Sequence, residues 1–198
     1  MPLPARVQRQ FKKVPSNPSE GDFHGPYNML LSSLFPFDDF TVGSRYWPQS
    51  CDMEDSVYIF KVLFEEKVLL EDKTVFILEV NSPQDLALRS VREIADQKIR
   101  DCIGGVIGLS CLLRMMTVLD YIDCPLPTLH AISAMGTKLC FYNKSRNGPV
   151  TPHCIPPNLD PLLDVAPVER WDCDILEEDG AQKFQAVIEE IIKGCETL

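Results

Sequence analysis

The run TVFILEVNSPQ, residues 74–84, decides the fold of this chain. Apart from Glu79 and Asn81, residues 74–81 are β-branched, aliphatic or aromatic, and the apolar residues are consecutive rather than alternating with polar ones. This pattern is typical of a strand that is covered on both faces. Pro83 ends the strand because proline cannot donate to a sheet ladder. We therefore predict a central strand over 74–81 that carries one carboxylate, Glu79, to the rim of a sheet.

Length and charge limit the class of protein. The 198 residues are enough for one domain with a substantial core and too few for two ordinary domains. The formal charge of −10 opposes non-specific nucleic-acid binding, because the mean field of the molecule repels a polyanion. One basic cluster near the N-terminus is the exception: Arg6, Arg9, Lys12 and Lys13. We expect a protein partner, with a nucleic acid disfavoured by the net charge.

The N-terminus and the cysteines bear on the cellular compartment. Met1 is followed by Pro-Leu-Pro-Ala-Arg, which lacks the apolar region of a secretory signal. The uncharged run 102–113 is shorter than the roughly 20 apolar residues of a membrane-spanning helix. None of the eight cysteines has C-x-x-C spacing, so a zinc site is not indicated. We expect an intracellular protein, cytoplasmic or nuclear, with reduced thiols and no membrane association.

The remaining pattern predicts an α/β domain after an irregular N-terminus. Residues 1–24 contain four prolines and are predicted to be a flexible arm, so that the domain covers 25–198. Strands are predicted at 40–47, 55–64, 74–81, 128–135 and 137–143, and helices at 26–35, 84–100, 112–122 and 181–195. The order α-β-β-β-α-β, with additions, indicates a single domain with a mixed central sheet flanked by helices.

Two helices have informative polar residues. In the predicted helix 84–100, an apolar stripe lies opposite a charged face that we expect to be solvated. The stripe is Leu88, Val91, Ala95, Ile99 and Cys102, and the charged face is Arg89, Arg92, Glu93, Asp96, Lys98 and Arg100. Before the last helix, the acidic residues within 172–179 suit a helix N-terminus, and Gly180 is expected to loosen the start of that helix.

Most common enzyme motifs are missing from the sequence. No G-x-x-x-x-G-K-S or G-x-G-x-x-G motif follows a strand, which removes the main support for a nucleotide-binding fold. Ser56 and Ser133 lack a G-x-S-x-G setting, so a hydrolase triad is not supported. His130, on a predicted strand, is expected to be a hydrogen-bonded core histidine.

The element order, with an acidic strand end followed by a helix, resembles the core of the PD-(D/E)XK nuclease superfamily. Several phrases are also similar to a group of uncharacterised fungal proteins: GPYNMLLSSLFP, VFILEVNSP, REIADQKIRD, LPTLHAISAMGTKLCFYN and RWDCDILEEDGAQKF. The resemblance covers about residues 25–195. It implies a restriction-endonuclease-like α-β-β-β-α-β core.

The resemblance also implies a site. In such nucleases, one strand presents an Asp and the next a (D/E)-x-K triplet; the two carboxylates hold Mg²⁺, and the Lys supports an attacking water. Here Glu79-Val80-Asn81 occupies the triplet, so an amide replaces the Lys. The second carboxylate is Asp55 if that residue faces the site. If Tyr58 holds the equivalent position instead, the second carboxylate is missing. Lys98 and Gln97, on the following helix, are the candidates for additional polar groups.

These departures from the superfamily pattern predict a degenerate centre. We expect a noncatalytic nuclease-fold protein, without a cofactor, that acts as an intracellular interaction or regulatory protein. The first alternative is an active Mg²⁺- or Mn²⁺-dependent nuclease that uses Glu79, Asp55 and Lys98, with a weak metal site at Asp55 and Glu79. The second is a module that binds nucleic acid through the basic cluster at 6–13 without cutting it.

Overall fold

A mixed sheet flanked by helices forms the centre of the computed structural model, which describes residues 2–48, 56–66, 71–104, 124–156 and 167–198. Within these ranges the strands are β1 Phe40–Pro48, β2 Ser56–Glu66, β3 Glu71–Asn81, β4 Thr128–Met135, β5 Lys138–Ser145, β6 Val150–Thr151 and β7 Cys173–Asp174. The helices are α1 Ala5–Phe11, α2 His24–Leu34, α3 Arg89–Ile103 and α4 Glu178–Cys195. Short 3-10 helices cover Glu20–Phe23, Pro83–Ala87 and Val168–Trp171.

The sheet combines an antiparallel meander with one parallel step. Its strand order is β1-β2-β3-β4-β5-β6, and β7 pairs with β5. β1, β2 and β3 are antiparallel neighbours, β3 and β4 are parallel, and β4 and β5 are antiparallel. A parallel pair needs a crossover connection, and here that connection contains α3. The predicted α/β class and the α-β-β-β-α-β order of α2 to β4 are confirmed.

Most predicted elements occur close to their expected positions. The helix predicted at 26–35 is His24–Leu34, and the last helix begins at Glu178 rather than at residue 181. The predicted helix 84–100 is divided into the 3-10 helix Pro83–Ala87 and α3, because Leu88 between them has an extended backbone. The helix predicted at 112–122 lies outside the described residues.

The N-terminal segment differs from the predicted flexible arm. Residues 5–11 form α1, and Leu3, Val7 and Phe11 are buried. The ring of Phe11 contacts that of Tyr27 edge-on, with 5.2 Å between centroids. The prolines flank this helix instead of interrupting it, and the spacing of four between Leu3, Val7 and Phe11 gives α1 one apolar face. The segment before α2 therefore contributes Leu3, Val7, Phe11 and Phe23 to the core.

Strand β3 is buried on both faces, as predicted for a central strand. On one face, Phe76 packs against Phe35, which directly follows α2, and against Phe184 of α4, at centroid distances of 6.0 and 6.1 Å. Successive side chains of a strand point to opposite faces, so Glu79 lies on the other face. That face is covered by α3, two of whose residues, Lys98 and Cys102, interact electrostatically with Glu79.

The charged face predicted for α3 is only partly solvated. Arg92 is 3% exposed and Asp96 1% exposed, whereas Leu88, predicted for the apolar stripe, is 55% exposed. The Nη1 atom of Arg92 donates a hydrogen bond of 2.7 Å to the carbonyl oxygen of Leu86. The prediction that Arg92 and Asp96 are solvated is wrong, because both side chains find polar partners inside the fold.

Candidate functional site

Glu79 lies near the end of β3 and has no exposed surface. The register of the sheet places it beside Ile59 of β2 and Ser133 of β4. Asn81 is two residues further along β3 and therefore on the same face of the sheet. Three polar side chains, Glu79, Asn81 and Ser133, thus lie together beneath α3. We call them the Glu79 cluster.

The Glu79 cluster contains several polar atoms without partners. Both carboxylate oxygens of Glu79, the Nδ2 atom of Asn81 and the Oγ atom of Ser133 are buried, and none has a hydrogen-bond partner of acceptable geometry. Such an atom costs about 1–3 kcal/mol of desolvation that no hydrogen bond repays. Native folds contain few of these atoms, and they mark strain or a functional site. The geometry singles out this cluster as the candidate site.

The surroundings of Glu79 favour the neutral carboxyl. Burial raises the pKa of Glu79 from 4.5 to about 7, and the negative charge of Asp96 adds a smaller increase. The positive charge of Lys98 opposes this shift, as do the nearby polar groups of Ser133 and Asn81. Near neutral pH, the protonated and ionised forms of Glu79 are therefore present in comparable amounts.

Of the two polar candidates on α3, the structure brings only Lys98 to the site. Lys98 is half-buried, and its charge acts on the carboxyl of Glu79. Gln97 is exposed and donates a hydrogen bond of 2.8 Å from Nε2 to Asp101. Gln97 therefore points away from the Glu79 cluster, because consecutive helical residues point in different directions.

Tyr58 does not occupy the position that faces Glu79. It pairs with Val80 in the β2–β3 ladder, which places its side chain on the opposite face of the sheet. Its ring lies 5.5 Å from the ring of His24 in α2. The β2 residue beside Glu79 is the apolar Ile59. Asp55 lies outside the described residues, so its contribution stays a prediction.

The donor set of the Glu79 cluster does not fit a divalent metal ion. Mg²⁺ takes six oxygen ligands, usually including a carboxylate and several waters. The cluster supplies one carboxyl, one amide and one hydroxyl in a buried position, with an ammonium group nearby. Within the described parts of the chain, no three His, Cys, Asp or Glu side chains are grouped so that they could hold a metal.

A second buried carboxylate, Asp96, has the opposite environment. It accepts hydrogen bonds of 2.9 and 3.1 Å from Arg100, and of 3.2 Å from Arg170. The hydroxyl of Tyr142 and the backbone N–H of Ile155 each donate a further bond of 3.0 Å. Although burial alone would raise the pKa of Asp96, these hydrogen bonds and the Arg100 charge hold it below its ordinary value. Asp96 therefore links α3 by hydrogen bonds to β5 and to the segments around Ile155 and Arg170.

The other sequence candidates do not join the Glu79 cluster. His130 is buried, and its Nε2 atom lies 3.3 Å from Oε1 of Glu190 in α4, on the opposite face of the sheet from Glu79. His130 is therefore a core histidine, as expected, whereas its hydrogen bonding stays a prediction: Nε2 lies only within ion-pair distance of Glu190, and Nδ1 has no hydrogen-bond partner. The six cysteines that the structure describes are free thiols. Burial raises the pKa of Cys140 to about 11, so this thiol stays protonated near neutral pH.

Comparisons with known proteins provide no match from which a function could be inferred. No protein-family model matches the chain, and neither the curated proteins nor the solved structures include a match. Among the described helices, none has the length and apolar character needed to cross a membrane.

Proposed function

We propose that this protein is a noncatalytic relative of the PD-(D/E)XK nucleases that acts inside the cell as an interaction or regulatory protein. The observation that carries the proposal is the complete burial of Glu79, the one carboxylate of the nuclease-like triplet. A catalytic carboxylate of this type must contact a metal ion that in turn contacts a substrate phosphate. An enclosed carboxyl with a pKa of about 7 is poorly suited to that role.

The neighbours of Glu79 support the same proposal. Asn81 stands where the triplet has a lysine, and a neutral amide cannot stabilise the charge that develops on a phosphate. Ile59, the β2 neighbour of Glu79, provides no ligand. On this proposal, the cluster occupies the position of a former nuclease centre, and its side chains now form part of the interior.

Metal binding tests the proposal directly. We expect calorimetric titration with Mn²⁺ to give no binding in the micromolar range for the wild type or for Glu79→Gln. Glu189→Gln, which neutralises an exposed carboxylate of α4, is the matched control for weak surface binding. Micromolar Mn²⁺ binding that disappears in Glu79→Gln and persists in Glu189→Gln would overturn the proposal.

An active metal-dependent nuclease using Glu79, Asp55 and Lys98 is the second candidate. It is favoured by the effect of the Lys98 charge on the Glu79 carboxyl, which would allow Lys98 to replace the lysine of the triplet. Its test is Mn²⁺-dependent cleavage of single- and double-stranded DNA. Cleavage lost in both Glu79→Gln and Lys98→Gln, but retained in the exposed control Lys193→Gln, would establish it. Equal rates in all four proteins would remove it.

A further inference from the structure

An open groove lies between α1 and α2, on the opposite side of the sheet from the Glu79 cluster. Its volume is about 670 Å³. Arg6 and Gln10 line it from α1, and Asn28, Met29 and Ser32 line it from α2. A Cβ atom added to Gly25, which also lines the groove, would meet no atom within 4 Å, so this part of the groove is empty space.

The edge of this groove is positively charged, in contrast to the protein as a whole. The basic residues of the N-terminal cluster are all exposed, and within the described chain none has an ion-pair partner: Arg6, Arg9, Lys12 and Lys13. Spacings of three place Arg6, Arg9 and Lys12 on one side of α1, opposite the buried face. A chain of net charge −10 thus presents a local cationic surface beside a groove.

The lining of the groove favours a peptide over a nucleic acid. Its residues include no aromatic side chain on which a base could stack, and the net charge of the protein repels an extended polyanion. The amides of Gln10 and Asn28 can instead pair with the backbone N–H and C=O groups of an extended peptide. Met29, which is half-buried, supplies an adaptable apolar contact.

We propose that the α1–α2 groove binds a short acidic segment of a partner protein. Carboxylates of the segment pair with Arg6 and the adjacent cations of α1, and an apolar side chain packs on Met29. The seven residues of α1 span about 10 Å, the length of three or four extended residues. This inference rests on the proposed function, since it gives an interaction protein its interface, but the groove does not involve Glu79.

The test uses the full-length protein and a fluorescein-labelled hexapeptide, Glu-Leu-Glu-Glu-Leu-Glu, in an anisotropy titration. One variant, Arg6→Gln with Arg9→Gln, removes the charge of Arg6, which lines the groove, and that of Arg9, which lies beside it on α1. The matched control, Arg146→Gln with Lys193→Gln, removes two exposed charges outside it. A third variant, Gly25→Gln, fills the groove without changing the charge.

We expect the charge variant to weaken peptide binding about fivefold, because two exposed ion pairs with the peptide are lost. Gly25→Gln is expected to weaken binding to a similar extent, because the added side chain occupies the groove. The control variant is expected to bind like the wild type, and a hexapeptide with Gln in place of Glu is expected to bind poorly. An equal loss in the charge and control variants, or no effect of Gly25→Gln, would overturn the proposal.

Two further results would also overturn it. One is the absence of peptide binding by the wild type, and the other is tighter, equally variant-sensitive binding of hexathymidylate, which would make the surface a nucleic-acid site. The Mn²⁺ titration at Glu79 is a separate measurement. A negative result in the peptide titration would therefore overturn only the groove proposal, and Glu79-dependent Mn²⁺ binding would overturn only the proposed function.

Discussion

Glu79 and Asp96 are both almost completely buried, yet their surroundings move their pKa values in opposite directions. Asp96 accepts five hydrogen bonds, two of them from Arg100, and remains ionised. The oxygens of Glu79 accept none of acceptable geometry, and this side chain is close to half-protonated at neutral pH. The number of donors, rather than burial, separates a structural carboxylate from a candidate site.

Glu79→Gln should change how stability depends on pH. Because the folded-state pKa of about 7 lies above the ordinary value of 4.5, the stabilisation by neutral Glu79 is complete below pH 4.5 and is lost as the pH rises through about 7. At about 1.4 kcal/mol per pKa unit, the shift corresponds to about 3 kcal/mol. Gln keeps a similar shape and stays neutral. We therefore expect Glu79→Gln to match the wild type at acidic pH and to exceed its free energy of unfolding by about 3 kcal/mol above pH 8.

Urea unfolding at a series of pH values measures this difference. Glu189→Gln, at an exposed position of α4, is the control and should follow the wild type at every pH. A difference between wild type and Glu79→Gln that stays constant with pH would show that Glu79 has an ordinary pKa in the folded protein.

Asp96→Asn should have the reverse dependence on pH. The lowered pKa of Asp96 means that its stabilisation is present above the ordinary value of 3.8 and is lost as the pH falls through the folded-state value. Asn presents only one acceptor oxygen to the donors of Arg100, Arg170 and Tyr142. We therefore expect the free energy of unfolding to fall by about 3 kcal/mol at neutral pH. Thermal or urea unfolding measures it, with the exposed Asp172→Asn as the control. A loss of stability in Asp96→Asn that does not become smaller at acidic pH would contradict the lowered pKa of Asp96.

The sequence revealed only part of this chemistry. Glu79 and Asn81 were identifiable because a carboxylate and an amide interrupt an otherwise apolar strand. Ser133 was not, since the parallel register of β3 and β4 depends on tertiary structure. Asp96 resembled a solvated residue of α3 because its partners Tyr142 and Arg170 are 46 and 74 residues away.

At the scale of the elements, the start of α4 depends on a close approach of two backbone segments. A Cβ atom at Gly180 would lie 1.9 Å from the carbonyl oxygen of Asp174 in β7. The sequence suggested that Gly180 loosens the helix start, whereas the structure shows that a glycine is needed for β7 and α4 to meet. Gly180→Ala should therefore cost about 3 kcal/mol of unfolding free energy, because backbone atoms must move to relieve the overlap.

Gly25→Ala is the matched control for this substitution. Gly25 also lies in the first turn of a helix, and a Cβ atom there meets no atom within 4 Å. We expect this variant to be more stable than the wild type by about 0.5 kcal/mol, since alanine has the higher helix propensity. Equal stabilities for Gly180→Ala and Gly25→Ala in chemical denaturation would show that β7 can move away from position 180 without a loss of stability.

The strands were easier to predict than the first helix. Continuous apolar runs bounded by turn residues gave β1 to β5 within a few residues. Helix α1 has only seven residues, lies between prolines and carries two arginines, so its short apolar face was obscured. Its stability comes from packing on α2 rather than from its own propensity, as expected for so short a helix.

At the scale of the whole molecule, the sheet separates the buried Glu79 cluster from the open α1–α2 groove. Glu79 lies on the α3 side, whereas α1 packs on α2, which lies on the side of Tyr58 and Phe76. Substitutions in the α1–α2 groove and in the Glu79 cluster share no contacts described above. Their effects on stability are therefore expected to add, and a double variant that departs from additivity by more than about 0.5 kcal/mol would indicate coupling through the sheet.

Deletion of residues 1–14 tests whether the domain begins at residue 25 or includes α1. The deletion removes the buried Leu3, Val7 and Phe11 and uncovers Tyr27. Each buried side chain of this size contributes about 1.5–3 kcal/mol, part of which is offset by the entropy of ordering the segment. We therefore expect urea unfolding of the shortened chain to give a free energy lower by about 3 kcal/mol. Arg6→Gln with Arg9→Gln, which alters only exposed positions of α1, should leave this value unchanged. A shortened chain as stable as the full-length protein would instead support a flexible N-terminal arm.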